Sequence, residues 1–260
     1  MAQALFISLQ ADASEQGQSL LIDVLAPAWS RPLLERMPEV RSAIDLPFQH
    51  GELNLAGRFR LGSSLRKEGY DQVIVLPNSL KSALVPLFAR VPQRTGWRGE
   101  ARGLLLNDVR DLDKEAMPLM VQRFVALGRA DGEALPSPLP RPRLVTAAQS
   151  VEGAVQALQL RVNRPVLALC PGAAFGDAKQ WPAQHYASVS AQLIDKGWQV
   201  WIMGSQKDND VANQILRELG ESAREACHDL TGRTSLAQAI DLMSVAKAVL
   251  SNDSGLMHVA

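Results

Sequence analysis

Short apolar runs alternate with amphipathic stretches along the first half of the chain. Residues 20–25, 43–46 and 71–76 are apolar enough to predict buried strands, each followed by a proline or a polar turn. Residues 58–68 and 115–127 repeat their apolar positions at helical spacing. Strands that alternate with helices in this way are typical of a parallel α/β sheet.

The same alternation returns in the second half. Apolar runs at 165–170, 198–203 and 248–250 predict strands, and a shorter strand ends at 230–232. Helices follow these strands, beginning near Pro182, Asp208, Ser235 and Gly255.

A change of composition separates the two halves. Prolines alternate through residues 136–142, and such a segment favours an extended, stiff spacer. We therefore predict two α/β domains, 1–140 and 141–260. The chain opens within a helix rather than a strand, and the second half has about four strands, fewer than a complete doubly wound sheet. We expect both domains to be incomplete, the first without its first strand and the second without its C-terminal part.

Composition and charge exclude several classes of protein. The chain has 260 residues, 47% apolar and 21% charged, with 27 basic and 27 acidic side chains. That balance is typical of a globular protein rather than a disordered or fibrous one, and zero net charge argues against a nucleic-acid binder. No apolar run approaches the length of a membrane span. Two cysteines are too few for a disulfide scaffold, so we expect a reducing, cytoplasmic location.

Residues 251–258 (SNDSGLMH) form the strongest candidate site. They follow a predicted strand and open a helix at the carboxyl edge of the sheet, where open α/β sheets bind ligands. Free amides at Ser254 and Gly255 suit an anion, and Asp253 could accept hydrogen bonds from sugar hydroxyls. A plain helix N-cap is the alternative interpretation.

Residues 171–182 (PGAAFGDAKQWP) lie in the equivalent place after an earlier strand. Small residues leave room for a ligand, and Lys179 supplies a compact positive charge that suits phosphate. The spacing matches neither a Walker phosphate loop nor a dinucleotide fingerprint, and a surface loop with a solvated lysine is the alternative. The loops at 204–208 and 231–235 follow two further strands. Ser205 and Asp208 could hold ribose hydroxyls, and the second loop is similar, but helix capping is the alternative explanation for both loops.

The first domain offers a candidate site at the corresponding edge. Asn78 follows a predicted strand and can cap a helix, with Lys81 close behind it in the sequence. Arginines recur every four residues from 90 to 102, interrupted by proline and glycine, so they predict a basic loop that also holds Trp97 and Glu100. Such a loop could receive an acidic substrate, or it could simply be solvated.

Nothing in the sequence favours a metal or a covalent nucleophile. The four histidines lack HxxxH spacing, and neither a GxSxG elbow nor a DxD pair is present. We therefore expect no metal and no cofactor.

Six stretches together resemble the lipopolysaccharide heptosyltransferases of glycosyltransferase family 9, and the resemblance covers almost the whole chain. They are 22–40 (IDVLAPAWSRPLLERMPEV), 75–86 (VLPNSLKSALVP), 94–100 (RTGWRGE), 105–120 (LLNDVRDLDKEAMPLM), 171–182 and 251–260 (SNDSGLMHVA). The resemblance implies a GT-B fold of two Rossmann-like, doubly wound domains facing a cleft. It assigns the acceptor to the N-terminal domain and ADP-heptose to the C-terminal one.

Carried over by position, the resemblance also implies residue roles. Lys179 would stabilise the leaving group, and the general base would lie upstream of Met1. The donor-binding residues would be Gly172, Ala173, Lys179, Gly204, Ser205, Asp208, Thr231, Ser235, Asp253, Ser254, Gly255 and His258. The acceptor-binding residues would be Asn78, Lys81, Trp97 and Arg98.

The activity implied is inverting transfer of heptose from ADP-heptose to the inner core of lipopolysaccharide. The partners would be ADP-heptose, a lipid A–inner-core acceptor and, transiently, the inner-membrane surface, with no nucleic acid. Two alternatives stay open: a non-catalytic nucleotide-binding remnant, and another GT-B nucleotide-sugar enzyme.

Overall fold

The computed structural model describes residues 1–173 and 179–260, and it divides into two compact units. The units are Met1–Arg143 and Leu144–Ala260, so the division falls just after the proline-alternating segment. The sequence places it at 140/141. Both units are α/β, and every strand pairing in them is parallel. Among the described residues, no helix is long and apolar enough to cross a membrane.

In the first unit the described strands form two parallel sheets. One pairs β1 with β2, and the other has the order β3-β4-β5. The strands are β1 (Ile22–Ala26), β2 (Val40–Asp45), β3 (Gln72–Ile74), β4 (Gln93–Trp97) and β5 (Asp108–Arg110), and the helices are α1 (Ala2–Glu15), α2 (Arg31–Leu34), α3 (Leu55–Leu65), α4 (Leu84–Phe88) and α5 (Met120–Ala126).

Strands β4 and β5 lie where the sequence predicts no strand, so the prediction of a basic loop over 90–102 is wrong. The polar residues of these strands satisfy one another, both between the two strands and along β5. Thr95 donates to the Asp108 carboxylate at 2.8 Å, and Arg110 forms an ion pair with the same carboxylate at 2.9 Å. Buried polar side chains that are hydrogen-bonded in this way can occupy a sheet interior, but they leave no apolar run in the sequence.

Two predicted helices of the first unit differ from the structure. The helix predicted over 115–127 is shorter, spanning Met120–Ala126. Asn78 does not cap a helix: Ser79 precedes the 3₁₀ turn Leu80–Ala83, and the Asn78 side chain accepts a hydrogen bond from Arg102 at 3.1 Å instead. Arg102 therefore occupies the acceptor that a cap would have used.

The second unit has one four-stranded parallel sheet of order β8-β7-β6-β9. Its strands are β6 (Val166–Cys170), β7 (Gln199–Ile202), β8 (Cys227–Asp229) and β9 (Ala248–Ser251), and its helices are α6 (Ala148–Ala157), α7 (Ala183–Ile194), α8 (Asn209–Glu218), α9 (Glu221–Arg224), α10 (Leu236–Met243) and α11 (Gly255–Val259). The short strand predicted to end at 230–232 ends at Asp229, and Pro182 lies one residue before α7 rather than in its first turn.

Helices cover both faces of this sheet. Ala168 and Trp201 pack into one core cluster with α6 and α10, while Leu169 and Ile202 pack into another with α7 and α8. Because alternate residues of a strand point to opposite faces, a strand buried on both faces must be apolar throughout. The apolar residues of β6 and of positions 200–202 in β7 therefore predicted these strands correctly, while the buried Gln199 that begins β7 is satisfied by the Arg161 and Arg164 carbonyls. The sheet presents its four carboxyl ends at one edge.

Candidate functional site

The loops that follow β6, β7 and β8 contact one another at the carboxyl edge of the second unit's sheet. A Cβ built on Gly172 would lie 2.6 Å from Oδ1 of Asp208, and one built on Gly204 would lie 2.8 Å from Oδ2 of the same carboxylate. The amide of Gly232 donates to the Gly204 carbonyl at 3.0 Å. The two loops therefore need glycine at positions 172 and 204, because any side chain there would displace Asp208.

The polar residues of these loops bond to their own neighbours. Asp208 accepts hydrogen bonds from the Ser205 amide and hydroxyl at 2.7 and 2.8 Å. Thr231 donates to the carboxylate of Asp229 through both its amide and its hydroxyl. The Ser235 side chain caps helix α10 by accepting a hydrogen bond from the backbone amide of Gln238, the third residue of that helix. These contacts are the capping arrangement that the sequence left as an alternative, and they leave lone pairs of the same groups for a ligand.

Lys179 and Asp253 meet, although 74 residues separate them in the sequence. The Lys179 Nζ atom donates to Oδ2 of Asp253 at 2.5 Å. This hydrogen bond and the charge of Lys179 hold the pKa of the Asp253 carboxyl below its usual range. Both side chains stay exposed, so a solvated ligand can reach them.

A cavity of about 540 Å³ surrounds this ion pair. The volume falls within the range of small-molecule sites. The cavity is lined by Lys179, Gln180, Trp181, Pro182, Tyr186, Leu250, Ser251, Asn252 and Asp253.

Helix α11 begins next to the cavity, at Gly255, with Ser254 immediately before it. The first amides of a helix have no intrahelical acceptor, and these ones follow directly on Asp253. No side chain within the described residues caps this helix. His258 is exposed on the same helix.

The structure divides the predicted donor residues into two neighbouring groups. Lys179 and Asp253 line the cavity, whereas Gly172, Gly204 and Asp208 belong to the loop contacts described above and do not line it. Ala173, which follows Gly172 in the sequence, is half-buried. Residues 174–178 of the 171–182 motif lie outside the described residues.

The cavity also contains a residue that the sequence did not single out. Asn252 is buried at the end of β9, and its side chain bonds to three other groups. Its place between a strand and Asp253 was the available signal, but an asparagine after a strand is also common in turns.

A second cavity, of about 520 Å³, lies in the first unit at the carboxyl ends of β3 and β4. Three of the four predicted acceptor residues line it, namely Asn78, Trp97 and Arg98. The fourth, Lys81, is not among its lining residues. Lys114, which the sequence did not single out, lines this cavity as well.

Charges of opposite sign meet on the wall of this second cavity. Arg98 donates to both carboxylate oxygens of Asp111, at 2.5 and 3.3 Å. The pair raises the pKa of Arg98 and lowers the pKa of Asp111, because each ionised group stabilises the other. The fork of the Arg98 guanidinium is therefore oriented by a carboxylate before any ligand arrives.

Arg102 lies beneath the same cavity rather than in an exposed loop. Its side chain is completely buried and donates to the Trp97 carbonyl, the Asn78 side chain and the Pro77 carbonyl. The Arg102 hydrogen bond to the Asn78 Oδ1 atom orients the Asn78 amide group and leaves its nitrogen and one oxygen lone pair for a ligand.

Other candidate chemistry is weak. Burial raises the pKa of the Cys170 and Cys227 thiols to about 12, with smaller contributions from nearby carboxylates, so neither thiol is a ready nucleophile. Within the described ranges, no three His, Cys, Asp or Glu side chains gather into a metal-binding group.

Comparison with known sequences gives one consistent result. The sequence profile described as glycosyltransferase family 9 (heptosyltransferase) matches residues 58–260. The chain is 50% identical over 265 aligned positions to lipopolysaccharide heptosyltransferase 2 of Escherichia coli K12, with all of this chain and 75% of that protein covered. It is 48% identical to lipooligosaccharide heptosyltransferase 2 of Haemophilus influenzae, with 92% and 70% covered.

Solved structures agree. The chain superposes on E. coli ADP-heptose LPS heptosyltransferase II with a TM-score of 0.89 at 49% identity, covering 100% of this chain and 76% of that one. A glycosyl transferase family 9 structure from Veillonella parvula gives a TM-score of 0.81 at 16% identity, covering 99% and 74%, which is similarity of fold alone.

Proposed function

Because the chain belongs to glycosyltransferase family 9, the heptosyltransferase family, we propose that it transfers heptose from ADP-heptose to the inner core of lipopolysaccharide with inversion. The fold class is α/β of the GT-B type. The name of the E. coli structure supplies the donor, and the names of the relatives supply the lipopolysaccharide acceptor.

The second unit is the donor-binding part of this proposal. Lys179 and the amides at Ser254 and Gly255 bind the diphosphate, and Asp253 lies near the heptose. Positive charge and free amides on one side of a cavity are the groups that an anion requires. The adenosine side is formed by the neighbouring loops, through Gly172, Ala173, Gly204, Ser205, Asp208, Thr231 and Ser235, with His258 behind the diphosphate.

The first unit is the acceptor-binding part. Asn78, Trp97 and Arg98 line one cavity there, and Arg98 is held in place for a planar acidic group. Lys81 lies close by in the sequence and contributes to the approach of the acidic acceptor. The acceptor is a lipid A–inner-core molecule, so binding includes transient contact with the inner-membrane surface.

The reaction is a single displacement at the anomeric carbon of the heptose. An acceptor oxygen forms the new glycosidic bond and loses its proton to a base, while the bond from the anomeric carbon to the ADP oxygen breaks. Negative charge develops on the departing diphosphate, and Lys179 and the helix amides stabilise it. Lys179 must leave Asp253 at least partly to do so, which frees that carboxylate to face the sugar.

One observation carries the proposal: Lys179 and Asp253 lie in one cavity with the start of α11 directly after Asp253. The test is calorimetry with ADP, alongside a transfer assay with ADP-heptose and a heptose-bearing lipid acceptor. We expect Lys179→Met to weaken ADP binding by about tenfold to a hundredfold, since a hydrogen bond to a charged group contributes about 1.5–3 kcal/mol.

The control variant is Lys196→Met, which removes an exposed lysine just beyond α7 and should leave ADP affinity unchanged. Equal ADP binding by the Lys179 and Lys196 variants would refute the donor site. ADP binding without any heptose transfer would favour the nucleotide-binding remnant, and transfer to a different product would favour another nucleotide-sugar enzyme.

A further inference from the structure

The side chain of Asn252 is buried in the wall of the cavity that Lys179 and Asp253 line, and it bonds to groups on both sides of Lys179 in the sequence. Its Nδ2 atom donates to the Pro171 carbonyl at 2.7 Å. Its Oδ1 atom accepts from the Trp181 amide at 3.2 Å and from the Tyr186 hydroxyl at 2.8 Å. Only 7% of the residue is exposed, so water cannot readily replace these partners.

The partners fix the orientation of the Asn252 amide group. A backbone carbonyl can only accept and a backbone N–H can only donate, so exchanging the nitrogen and oxygen would break the bonds to Pro171 and Trp181 together. Burial raises the pKa of Tyr186 to about 12, and its hydroxyl therefore remains a donor throughout the physiological range. The network has a single satisfied arrangement.

Two of these bonds join loops that are far apart in the sequence, and the third joins Asn252 to Tyr186 of helix α7. Pro171 and Trp181 lie on either side of Lys179 in the loop between β6 and α7, whereas Asn252 immediately precedes Asp253. Lysine is long and flexible, so the place of its ammonium group depends on where its backbone is held. The Asn252 amide is the described side chain that fastens this backbone to the loop after β9.

We propose that Asn252 is a positioning residue for the donor site. It holds the loop of Lys179 against the start of α11, so that the ammonium group and the helix amides converge on one diphosphate. The inference rests on the proposed function only for the identity of the ligand, because the junction itself is a property of the two loops. Asn252 would act through Lys179 and the amides, without touching the donor.

The experiment uses this 260-residue chain, three test variants and one control variant. Asn252→Ala removes all three bonds, and Asn252→Asp keeps both acceptor contacts while turning a carboxylate oxygen towards the Pro171 carbonyl. Tyr186→Phe removes the hydroxyl bond alone. Ser190→Ala is the matched control, because it deletes a buried hydroxyl that donates to the Tyr186 carbonyl within helix α7 and leaves the three Asn252 bonds in place.

Amide hydrogen exchange tests the contact between Asn252 and the loop of Lys179 in the absence of any ligand. We expect Asn252→Ala to speed exchange in peptides that contain residues 179–182, whereas Ser190→Ala should leave those peptides unchanged. Unchanged exchange in the Asn252→Ala variant would overturn the inference whether or not the chain binds ADP.

Calorimetry and kinetics then test the link to the donor. We expect Asn252→Ala to weaken ADP binding about tenfold. A tenfold loss of affinity corresponds to the net free energy of about one hydrogen bond, which is the scale expected when the loop is no longer held in place. Tyr186→Phe should fall between this variant and the wild type. Asn252→Asp should bind ADP no better than Asn252→Ala, because its buried carboxylate faces the Pro171 carbonyl and adds negative charge beside the diphosphate. The KM for ADP-heptose should rise while the KM for the lipid acceptor stays the same.

The outcomes separate the two ideas. Failure of the wild-type chain to bind ADP would refute the proposed function and leave hydrogen exchange to decide on Asn252. Normal ADP affinity in an Asn252→Ala variant with faster exchange would reduce Asn252 to a structural residue and overturn the positioning role. A rise in both KM values would do the same, because it would indicate general loosening.

Discussion

Replacing Arg102 with methionine should destabilise the first unit severely. The guanidinium is completely buried, and no carboxylate pairs with it in the described contacts. It donates instead to the carbonyls of Pro77 and Trp97, to the Asn78 side chain and to the Ser82 hydroxyl. Burial lowers the pKa of Arg102, but an arginine stays protonated at neutral pH.

The size of the stability loss follows from the hydrogen-bond acceptors that would lose Arg102 as their donor. Methionine is of similar length and cannot donate, so these acceptors would lose a charged donor, each at about 1–3 kcal/mol. Removing the buried charge recovers part of that cost, because the guanidinium no longer has to be desolvated. We expect a net loss of about 3 kcal/mol, which lowers the melting temperature of a unit of this size by about 6–12 °C.

Thermal melting and urea unfolding measure this loss, and hydrogen exchange assigns it to one unit. Peptides from 77–82 and 94–98 should exchange faster in the Arg102→Met variant, whereas peptides of the second unit should not. Arg60→Met is the control, since Arg60 is exposed on α3 and a surface change is usually within about 0.5 kcal/mol. An Arg102→Met midpoint within about 2 °C of the wild type would refute the reasoning.

Two further substitutions test other contacts. Gly172→Ala should weaken ADP binding, because its Cβ would lie 2.6 Å from the Asp208 carboxylate, whereas Gly153→Ala on α6 meets nothing within 4 Å and should raise stability by about 0.5–1 kcal/mol; equal ADP affinity for both variants would count against the loop contact. Asp23→Asn should lower the melting temperature at pH 6, and the gap from wild type should shrink as the pH falls below about 3.9. The hydrogen bond from Arg41 lowers the pKa of Asp23, so its contribution is complete above the unfolded pKa of about 3.9 and is lost as the pH falls through the lower folded pKa. A gap between wild type and Asp23→Asn that stays equally wide from pH 6 down to pH 2 would contradict this.

Much of the fold could be predicted from the pattern of apolar residues. Strand β6 and positions 200–202 of β7 are buried on both faces and are apolar throughout, a pattern that can be read directly from the sequence. Strands β4 and β5 could not be predicted in this way, because their polar residues are satisfied by specific partners. Thr95 bonds to Asp108 on the neighbouring strand, and Arg110 bonds to Asp108 on its own strand and to the Ala126 carbonyl. Whether a polar residue is buried depends on partners that the local sequence does not reveal.

The arginines between residues 90 and 102 also show that the local sequence does not reveal which polar residue is buried. Their spacing predicts a basic loop, yet Arg98 is exposed on a cavity wall while Arg102 is completely buried beneath it. Four identical side chains at equal spacing carry no local information about which one will be enclosed. The carbonyls that enclose Arg102 come from other segments of the chain.

The sequence by itself determined that Lys179 and Asp253 each follow a strand of a parallel sheet, and therefore that both lie at its carboxyl edge. Only the tertiary structure decided that they touch. The strand order β8-β7-β6-β9 places β9 beside β6, so the loops after these two strands are neighbours and the Asn252 amide can bridge them. Strand order follows from how all the helices pack on both faces of the sheet, and no short stretch of sequence contains that information.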